Sequence, residues 1–363
     1  MKLCLYGAGN TGETFVCHKG DDIVKYEDVY FVDKNEELIG KSVSGYQVRD
    51  TEEISDDTEI IITSIYWKEI YSRCCLNNFR VIGIYDSETD QVYTYKEMCR
   101  LRKCVYKNEK FVKYEKQKNK RVSSKIEDFL CTDNLYENIS EVAIMLSNLC
   151  NYAAIHKLCP AGCVEEKKIM PSRVVYKILD ELGAAKFDGT ICFHIYNEPL
   201  IDPRLFLFIQ YAKQHIEGCK ILIYSNGWYL NDQMVTELQD IGADILVVTG
   251  YGEKEYNRLI ELPVQIPYTV LFGNLDHRLD IYKDRQNAVS DAPCRFFFSQ
   301  VTIYVNGDIG VCCLDHRHSY GLGNICNMSL KDFLDSEKMV NIQKQLLSGN
   351  REIFSCCKNC NWK

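Results

Sequence analysis

Short apolar runs recur along the first part of the chain, and each is followed by a polar turn or by a segment with helical spacing. Four such runs span residues 2–6, 28–33, 59–64 and 80–84. Uninterrupted apolar runs of this length are typical of strands buried on both faces of a sheet. Because these strands alternate with helical segments, they predict a small α/β unit with a parallel sheet.

The same alternation resumes further along the chain. Predicted strands cover residues 142–146, 190–195, 220–224, 244–249 and 264–272, and predicted helices cover residues 171–182, 205–215 and 234–241. Several of these strands end in polar loops. This pattern predicts a full or partial (β/α) barrel, in which the active site lies at the carboxyl ends of the strands.

Length and charge narrow the class of protein. At 363 residues the chain is longer than a typical single domain, so two or three domains are expected. A formal net charge of −8 argues against a protein that binds nucleic acid through a basic surface. The sequence has no apolar run long enough to cross a membrane and enters a strand directly at its start. We therefore expect a cytoplasmic protein that binds neither nucleic acid nor membrane.

The 19 cysteines are unevenly distributed. In a reducing compartment, clustered thiols are more often metal ligands or catalytic groups than disulfides. Ten of the cysteines gather in three groups: Cys150, Cys159 and Cys163; Cys294, Cys312, Cys313 and Cys326; and Cys356, Cys357 and Cys360.

The first group directly follows the predicted strand 142–146. Three thiolates can hold three irons of a [4Fe–4S] cluster and leave the fourth iron open to another ligand. Cys150, Cys159 and Cys163 are the predicted ligands, with His156 as an alternative. Three unrelated buried thiols are the structural alternative, because free cysteine is often buried.

A glycine-rich turn follows the first strand. Gly7, Gly9 and Gly12 form a G-x-G-x-x-G pattern, and Asp33 ends the second strand. Such a turn lets a phosphate approach a helix N-terminus, while the carboxylate can accept a ribose hydroxyl. The sequence predicts a nucleotide or nucleotide-sugar site, although many related folds keep this turn as plain architecture.

Residues 5–12, 31–33, 45–48 and 60–64 resemble the N-terminal domain of sugar-nucleotide-modifying acetyltransferases. The resemblance points towards carbohydrate. Between it and the barrel, residues 100–125 hold eleven Lys or Arg and only two acidic residues, Glu109 and Glu115. We interpret this segment as a solvated linker that is partly helical, with a basic groove for an anionic substrate as the alternative.

The C-terminal cysteines predict a second metal site. Residues 298–306 and 309–312 read as a hairpin that turns at Asn306-Gly307 and presents Cys312 towards Cys294. Cys357 and Cys360 then close the site. Cys313 and Cys356 are adjacent alternatives, and four cysteines also suit tetrahedral zinc.

Taken together, these residues resemble the radical S-adenosylmethionine (SAM) enzymes. In that family the three-cysteine loop binds a [4Fe–4S] cluster whose open iron chelates SAM, and reductive cleavage releases a 5′-deoxyadenosyl radical. Asn197, Glu198 and Pro199 match the Gly-Gly-Glu-Pro turn that contacts the SAM amino group. The resemblance also implies that SAM is contacted by Ser225, Asn226 and Thr249.

The cysteine loop departs from the family pattern. The usual spacing is Cys-x3-Cys-x2-Cys with an aromatic residue before the last cysteine, whereas here the spacing is x8 and then x3, with Gly162 before Cys163. The C-terminal part resembles the SPASM/twitch extension of these enzymes. That resemblance implies an auxiliary [4Fe–4S] cluster held by Cys294, Cys312, Cys357 and Cys360, which accepts an electron from a substrate radical.

The expected fold is α/β, with an N-terminal Rossmann-like parallel sheet, a central partial (β/α)6 TIM-like barrel and a small C-terminal cysteine-rich iron–sulfur domain. The expected domains are a Rossmann-like domain at residues 1–99, a basic linker at 100–138, a radical SAM core at 139–290 and a SPASM/twitch-like domain at 291–363.

The expected function is hydrogen abstraction from a sugar, sugar-nucleotide or aminocyclitol-like substrate, leading to oxidation or epimerisation. An external electron donor such as flavodoxin or ferredoxin is implied. A peptide-modifying radical SAM enzyme and a non-catalytic iron–sulfur or nucleotide-sensing protein are the alternatives. The substrate carbon and the catalytic residues are not fixed by the sequence.

Overall fold

The computed structural model describes residues 1–156, 159–164, 166–273, 293–313, 315, 320–358 and 360, apart from the side chains of residues 163, 296 and 297. The chain divides into two compact units, Met1–Lys113 and Tyr114–Lys363. Within the described ranges, every helix is too short or too polar to cross a membrane.

The first unit is built around a parallel sheet. Its strands are β1 (Lys2–Tyr6), β2 (Asp28–Val32), β3 (Ser42–Val43), β4 (Tyr46–Arg49), β5 (Thr58–Ile62), β6 (Arg80–Asp86) and β7 (Gln91–Tyr93), in the order β3-β4-β2-β1-β5-β6-β7. β2 and β5 pair with β1 in parallel, and the short edge strands β3 and β7 are antiparallel. The predicted parallel α/β unit is confirmed.

Its helices are α1 (Asn10–Ile23), α2 (Trp67–Leu76) and α3 (Tyr95–Leu101). Phe15 of α1 packs against the fully buried Phe31 of β2 and Leu5 of β1 in one apolar core. Burying a side chain of this size stabilises a fold by about 1.5–3 kcal/mol. The chain order reverses on either side of β1, and ligands of open α/β sheets bind at such a reversal.

The second unit contains a longer series of parallel strands. Its strands are β9 (Glu141–Ile144), β10 (Thr190–Cys192), β11 (Lys220–Ser225), β12 (Ile245–Tyr251), β13 (Tyr268–Gly273), β14 (Val301–Ile303), β15 (Asp308–Gly310) and β16 (Gly323–Asn324). The short strand β8 (Tyr106–Lys107) comes before them in the sequence and belongs to the first unit. Neighbours run in the order β16-β15-β14-β9-β10-β11-β12-β13. From β14 to β13 every pairing is parallel.

Helices connect these strands, and several helices of the second unit begin at a capping side chain. They are α5 (Ser172–Ala184), α6 (Leu205–His215), α7 (Asp232–Ile241), α8 (Glu253–Ile260), α9 (Phe296–Ser299), α10 (Leu330–Leu334), α11 (Glu337–Leu347) and α12 (Ser355–Lys358). In α7, for example, the Asn231 side chain accepts the Met234 N–H, and Gly242 ends the helix with a left-handed φ of 110°.

Two features add to the expectations. Much of the basic segment forms one helix, α4 (Glu109–Thr132), in line with a linker that is partly helical. In addition, β14 pairs with β9, the first strand of the series, in parallel register. The predicted hairpin itself is confirmed, because β14 and β15 are antiparallel and Gly307 turns between them with a φ of 86°.

Candidate active site

Three loops meet at the carboxyl edge of the second sheet. Cys150 follows β9, Glu198 follows β10, Ser225 ends β11 and Asn226 follows it. Since these strands are adjacent and parallel, their carboxyl ends open onto one edge. The structure therefore brings together three motifs, of which the first and the last are 76 residues apart in the sequence.

Glu198 is the polar centre of this edge and is only 2% exposed. The Ser225 hydroxyl donates to its Oε1 at 2.9 Å, and the Asn226 N–H donates to its Oε2 at 2.7 Å. The Leu200 N–H also donates to Oε1, at 3.2 Å. Burial nevertheless raises the pKa of Glu198 to about 7. A cationic group placed beside this carboxyl would stabilise its charged form.

The neighbouring residues of this turn have structural roles. Asn197 is buried, its amide donates to the Phe193 carbonyl at 3.1 Å, and its Oδ1 accepts the Ile195 N–H. Pro199 is buried and begins a short 3₁₀ helix, Pro199–Ile201. Both residues hold Glu198 in place.

Cys150 is half-buried and connects to the same turn. The Asn226 amide lies 3.8 Å from its Sγ, and the Tyr152 N–H donates to Sγ at 3.4 Å. Asn226 also donates to Asn151 Oδ1 at 2.7 Å. Burial raises the pKa of the Cys150 thiol, and Glu198 and Cys159 raise it further. The first cysteine thus contacts Asn226, one of the SAM-binding residues that the resemblance implies.

The other two cysteines of the loop follow closely. Cys159 is buried, and its N–H donates to the His156 carbonyl at 3.1 Å. Cys163 ends the 3₁₀ helix Pro160–Cys163, but its side chain lies outside the described residues. His156 is also buried, and its ring packs against Tyr251 at 5.0 Å between centroids.

These side chains line a cavity of about 570 Å³, a volume that suits a small-molecule site. The predicted residues that line it are Cys150, Cys159, Asn197, Glu198, Ser225, Asn226 and Thr249. Cys294 and Cys313 of the C-terminal cysteine group line the same cavity. Both predicted metal sites therefore adjoin one cavity.

The sequence reasoning missed polar groups elsewhere in this cavity. Lys118 of α4 forms an ion pair of 2.7 Å with the fully buried Glu141, and the Gln300 amide donates to the other carboxylate oxygen of Glu141. Burial opposes the charge of Lys118, but the Glu141 carboxylate outweighs it and raises the pKa of Lys118. Glu141 could have been noticed in the sequence, because it is a charged residue at the start of the otherwise apolar strand β9.

The C-terminal cysteines lie around a small apolar cluster that contains Val311, Leu346 and Phe354. Cys357 belongs to this cluster and Cys294 packs against it. A hydrogen bond with Cys356 and burial raise the pKa of the Cys357 thiol, and nearby Cys312 and Cys294 raise it further. Cys360 is tied to this group because its N–H donates to the Cys357 carbonyl at 3.0 Å.

The donor chemistry of both groups fits iron–sulfur ligation, because thiolates are the usual ligands of [4Fe–4S] clusters. Among the side chains that the structure describes, no group of three or more His, Cys, Asp or Glu is arranged to hold a metal ion. The individual ligands therefore stay predictions.

The first unit has a separate cavity of about 810 Å³ beside the glycine-rich turn. Gly7 and Gly12 are required by packing, because a Cβ would lie 2.7 Å from the Thr63 carbonyl oxygen and 2.3 Å from the Gly7 carbonyl oxygen, respectively. Gly9 is different, since a Cβ there meets nothing within 4 Å. Asp33 accepts the Ala8 N–H at 2.8 Å and so holds the turn itself.

The chain is similar in sequence to several known proteins. Residues 294–361 match the SPASM family, an iron–sulfur cluster-binding domain. The chain is 25% identical over 235 residues to the S-adenosyl-L-methionine-dependent 2-deoxy-scyllo-inosamine dehydrogenase of Niallia circulans, which covers 61% of this chain and 92% of that protein. It is 27% identical over 124 residues to an uncharacterised protein of Methanocaldococcus jannaschii, covering 32% of this chain and 37% of that protein.

The fold of part of the chain also has a solved counterpart. The crystal structure of BtrN in complex with AdoMet and 2-DOIA aligns with a TM-score of 0.53 and 24% identity, covering 62% of this chain and 93% of that chain. These findings support a radical SAM enzyme with a C-terminal SPASM domain. The Niallia circulans relative is named as a dehydrogenase, which is an oxidoreductase activity.

Proposed function

We propose that this enzyme oxidises a carbinol carbon of an aminocyclitol, sugar or sugar-nucleotide by SAM-derived radical chemistry. The observation that carries the proposal is the shared cavity, onto which Cys150, Glu198 and Asn226 open together with Cys294. The named activity of the Niallia circulans relative, a 2-deoxy-scyllo-inosamine dehydrogenase, supports the substrate class.

Each residue has an assigned part in this proposal. Cys150, Cys159 and Cys163 would hold the [4Fe–4S] cluster that binds SAM. Together with SAM, that cluster would supply the radical chemistry that takes hydrogen from the substrate. Glu198 would accept hydrogen bonds from the SAM amino group, and Ser225 and Asn226 hold that carboxylate in position through their bonds of 2.9 and 2.7 Å.

The C-terminal cysteines provide the remaining functions. Cys294, Cys312, Cys357 and Cys360 would hold an auxiliary [4Fe–4S] cluster with no open iron, which suits electron transfer. Cys294 and Cys313, the residue after Cys312, line the cavity, so a cluster held by this group would adjoin the cavity and could accept an electron from the substrate. The first cluster would take its electron from an external donor such as flavodoxin or ferredoxin.

The finer architecture belongs to the same proposal. The parallel strands β9 to β13 with β14 would form the partial (β/α)6 barrel, and residues 291–363 would form the cysteine-rich domain. The unbroken parallel pairing from β14 to β13 supports the first assignment, and the match over residues 294–361 supports the second.

The substrate class is tested with labelled compounds. Reconstituted, anaerobic enzyme is supplied with SAM, dithionite and 2-deoxy-scyllo-inosamine carrying deuterium at each carbinol carbon in turn. We expect deuterium in 5′-deoxyadenosine from one position and a ketone product two mass units lighter than the undeuterated alcohol. Deuterium transfer with return of an alcohol of inverted configuration would favour epimerisation. Transfer only from peptide substrates would replace this substrate class.

Replacing Glu198 tests the SAM site. We expect Glu198→Gln to weaken SAM binding by about 10- to 1000-fold, because a charged hydrogen-bond acceptor is lost from a buried site. Titration calorimetry of reconstituted protein under anaerobic conditions measures the effect, with iron analysis as a check on cluster loading. Glu59→Gln is the matched control, since Glu59 is a buried carboxylate of the first unit. A fully loaded Glu198→Gln protein with normal SAM affinity would remove Glu198 from the site.

The same carboxyl predicts a pH dependence. Because burial raises the pKa of Glu198 to about 7, the group is largely protonated at pH 6 and largely ionised at pH 8. SAM affinity should therefore rise by up to about tenfold across this interval and level off above it. The Glu198→Gln protein should lack this rise. An equal rise in both proteins would assign the dependence to another group.

The environment of Gly9 supports a second function, which is nucleotide binding by the first unit. Neither packing nor a positive φ requires glycine there: its φ is −84° and its Cβ position is open. The residue lies at the N-terminus of α1 and lines the cavity of about 810 Å³, which Lys34 and Arg73 also line. A bare helix N-terminus with nearby cations suits a phosphate group.

The nucleotide proposal predicts that UDP, ADP or a UDP-sugar binds the full chain and that Gly9→Val weakens this binding at least about tenfold by filling the approach to the helix. Titration calorimetry with each ligand measures it. Gly20→Val is the control, because Gly20 lies in the same helix with open space and away from the cavity. If no nucleotide binds the wild-type chain, the first unit has a purely structural role. A sugar-nucleotide would then be rejected as the substrate.

A further inference from the structure

Helix α3 ends in a motif that brings two cysteines together. Lys103 adopts a left-handed φ of 45°, and its N–H donates to the Arg100 carbonyl at 3.2 Å. The Cys104 N–H donates to the Cys99 carbonyl, also at 3.2 Å. These two bonds form a Schellman motif, which places the side chains of its first and last residues against each other. An apolar pair is usual at these positions, and here both residues are cysteine.

The two thiols differ in environment. Cys99 is fully buried and its Sγ lies 3.9 Å from the Val105 carbonyl oxygen, whereas Cys104 is partly exposed. Because the motif brings the two thiols together, a side-chain hydrogen bond between them raises the pKa of Cys99 and lowers that of Cys104. Cys104 is therefore accessible to reagents from solvent, whereas Cys99 is buried.

The surrounding charges reinforce this asymmetry. The hydrogen bond from Cys99, together with the Lys68 ammonium, lowers the pKa of Cys104 to about 7. The hydrogen bond to Cys104, together with burial, raises the pKa of Cys99, although Tyr95 and Lys68 oppose this. A partly exposed thiol near a lysine is a good nucleophile, and a buried neighbour is suited to resolve the mixed disulfide.

We propose that Cys99 and Cys104 form a redox-active dithiol that exchanges with low-molecular-weight disulfides. The Cys104 thiolate attacks one sulfur of the disulfide, forming a mixed disulfide and releasing one thiolate. The Cys99 thiol then loses its proton, attacks Cys104 Sγ and releases the second thiol. Two protein thiols are oxidised to one disulfide, and the small disulfide is reduced to two thiols. This site belongs to the first unit and does not depend on the proposed radical chemistry.

The test uses the full-length holoprotein treated anaerobically with glutathione disulfide at pH 7, then alkylated and digested with trypsin. The expected product is a disulfide between the peptides of residues 97–100 and 104–107, which trypsin separates at Arg100, Arg102 and Lys103. Cys99→Ser should instead accumulate one glutathione on Cys104, and Cys104→Ser should leave Cys99 unmodified. The exposed Cys17 and Cys131 serve as internal controls for ordinary thiols.

Two results would overturn the proposal. One is that both peptides stay reduced after Cys17 and Cys131 have acquired glutathione. The other is that Cys104→Ser leaves Cys99 as reactive as Cys104 is in the wild-type chain, which would remove the assigned order of attack. A folding defect is recognised separately by the melting temperature of each variant, and in that case Cys99→Ala and Cys104→Ala repeat the comparison.

Discussion

Replacing Cys150, Cys159 and Cys163 together with alanine should lower the iron content of reconstituted protein from about eight to about four atoms per chain, because one of two four-iron clusters loses its thiolates. SAM cleavage should fall below detection, since no open iron remains to bind SAM. Iron analysis and the visible absorbance of the clusters measure the first effect.

A matched control separates ligand loss from general damage. Cys219 is buried in the same unit and lines neither the cavity nor the C-terminal apolar cluster, so Cys219→Ala should keep full iron and full activity. If the triple variant retains about eight irons, the three cysteines are not the ligands. Single Cys163→Ala and His156→Ala variants then distinguish the predicted third ligand from its alternative.

Loss of the auxiliary cluster should have a different signature. We expect Cys357→Ala with Cys360→Ala to remove about four irons while 5′-deoxyadenosine formation persists within about tenfold, because the SAM turn of Glu198 and Asn226 is untouched. Oxidation of the substrate should be lost, since the electron from the substrate radical has no acceptor. Iron content, 5′-deoxyadenosine and ketone product are measured on the same preparation.

The neighbouring cysteines provide the controls for this second site. Cys326→Ala should have no effect, because Cys326 is exposed. Cys313→Ala and Cys356→Ala test whether either neighbour replaces Cys312 or Cys357 as a ligand. Stoichiometric zinc with only four irons in the wild-type protein would contradict the auxiliary cluster and favour a structural zinc site.

Local pattern predicted the parallel sheets and an active site at the carboxyl ends of the strands. The apolar run that became β11 ends at Ser225, and the run that became β10 is followed by Glu198. Because parallel strands expose their carboxyl ends at one edge, both side chains were expected at the active-site face of the predicted barrel. The 2.9 Å bond between them agrees with that reasoning.

Contacts that depend on folding at long range could not be predicted in the same way. The ion pair of Lys118 and Glu141 joins a helix in the basic segment to a strand, and nothing in either local pattern links them. The pairing of β14 with β9 joins strands about 160 residues apart. Asp33 was predicted as a ribose acceptor from its position, but its bond to the Ala8 N–H is fixed by the path of the turn.

The central claim is that the cavity lined by Cys150, Glu198 and Asn226 cleaves SAM reductively. It is tested most directly by quantifying 5′-deoxyadenosine from anaerobic, iron-loaded wild-type protein mixed with SAM and dithionite, beside the triple-cysteine variant. The account predicts continued formation of 5′-deoxyadenosine by the wild-type protein and none by the variant. Fully loaded wild-type protein that forms no 5′-deoxyadenosine, or a variant that forms as much as the wild type, would contradict it.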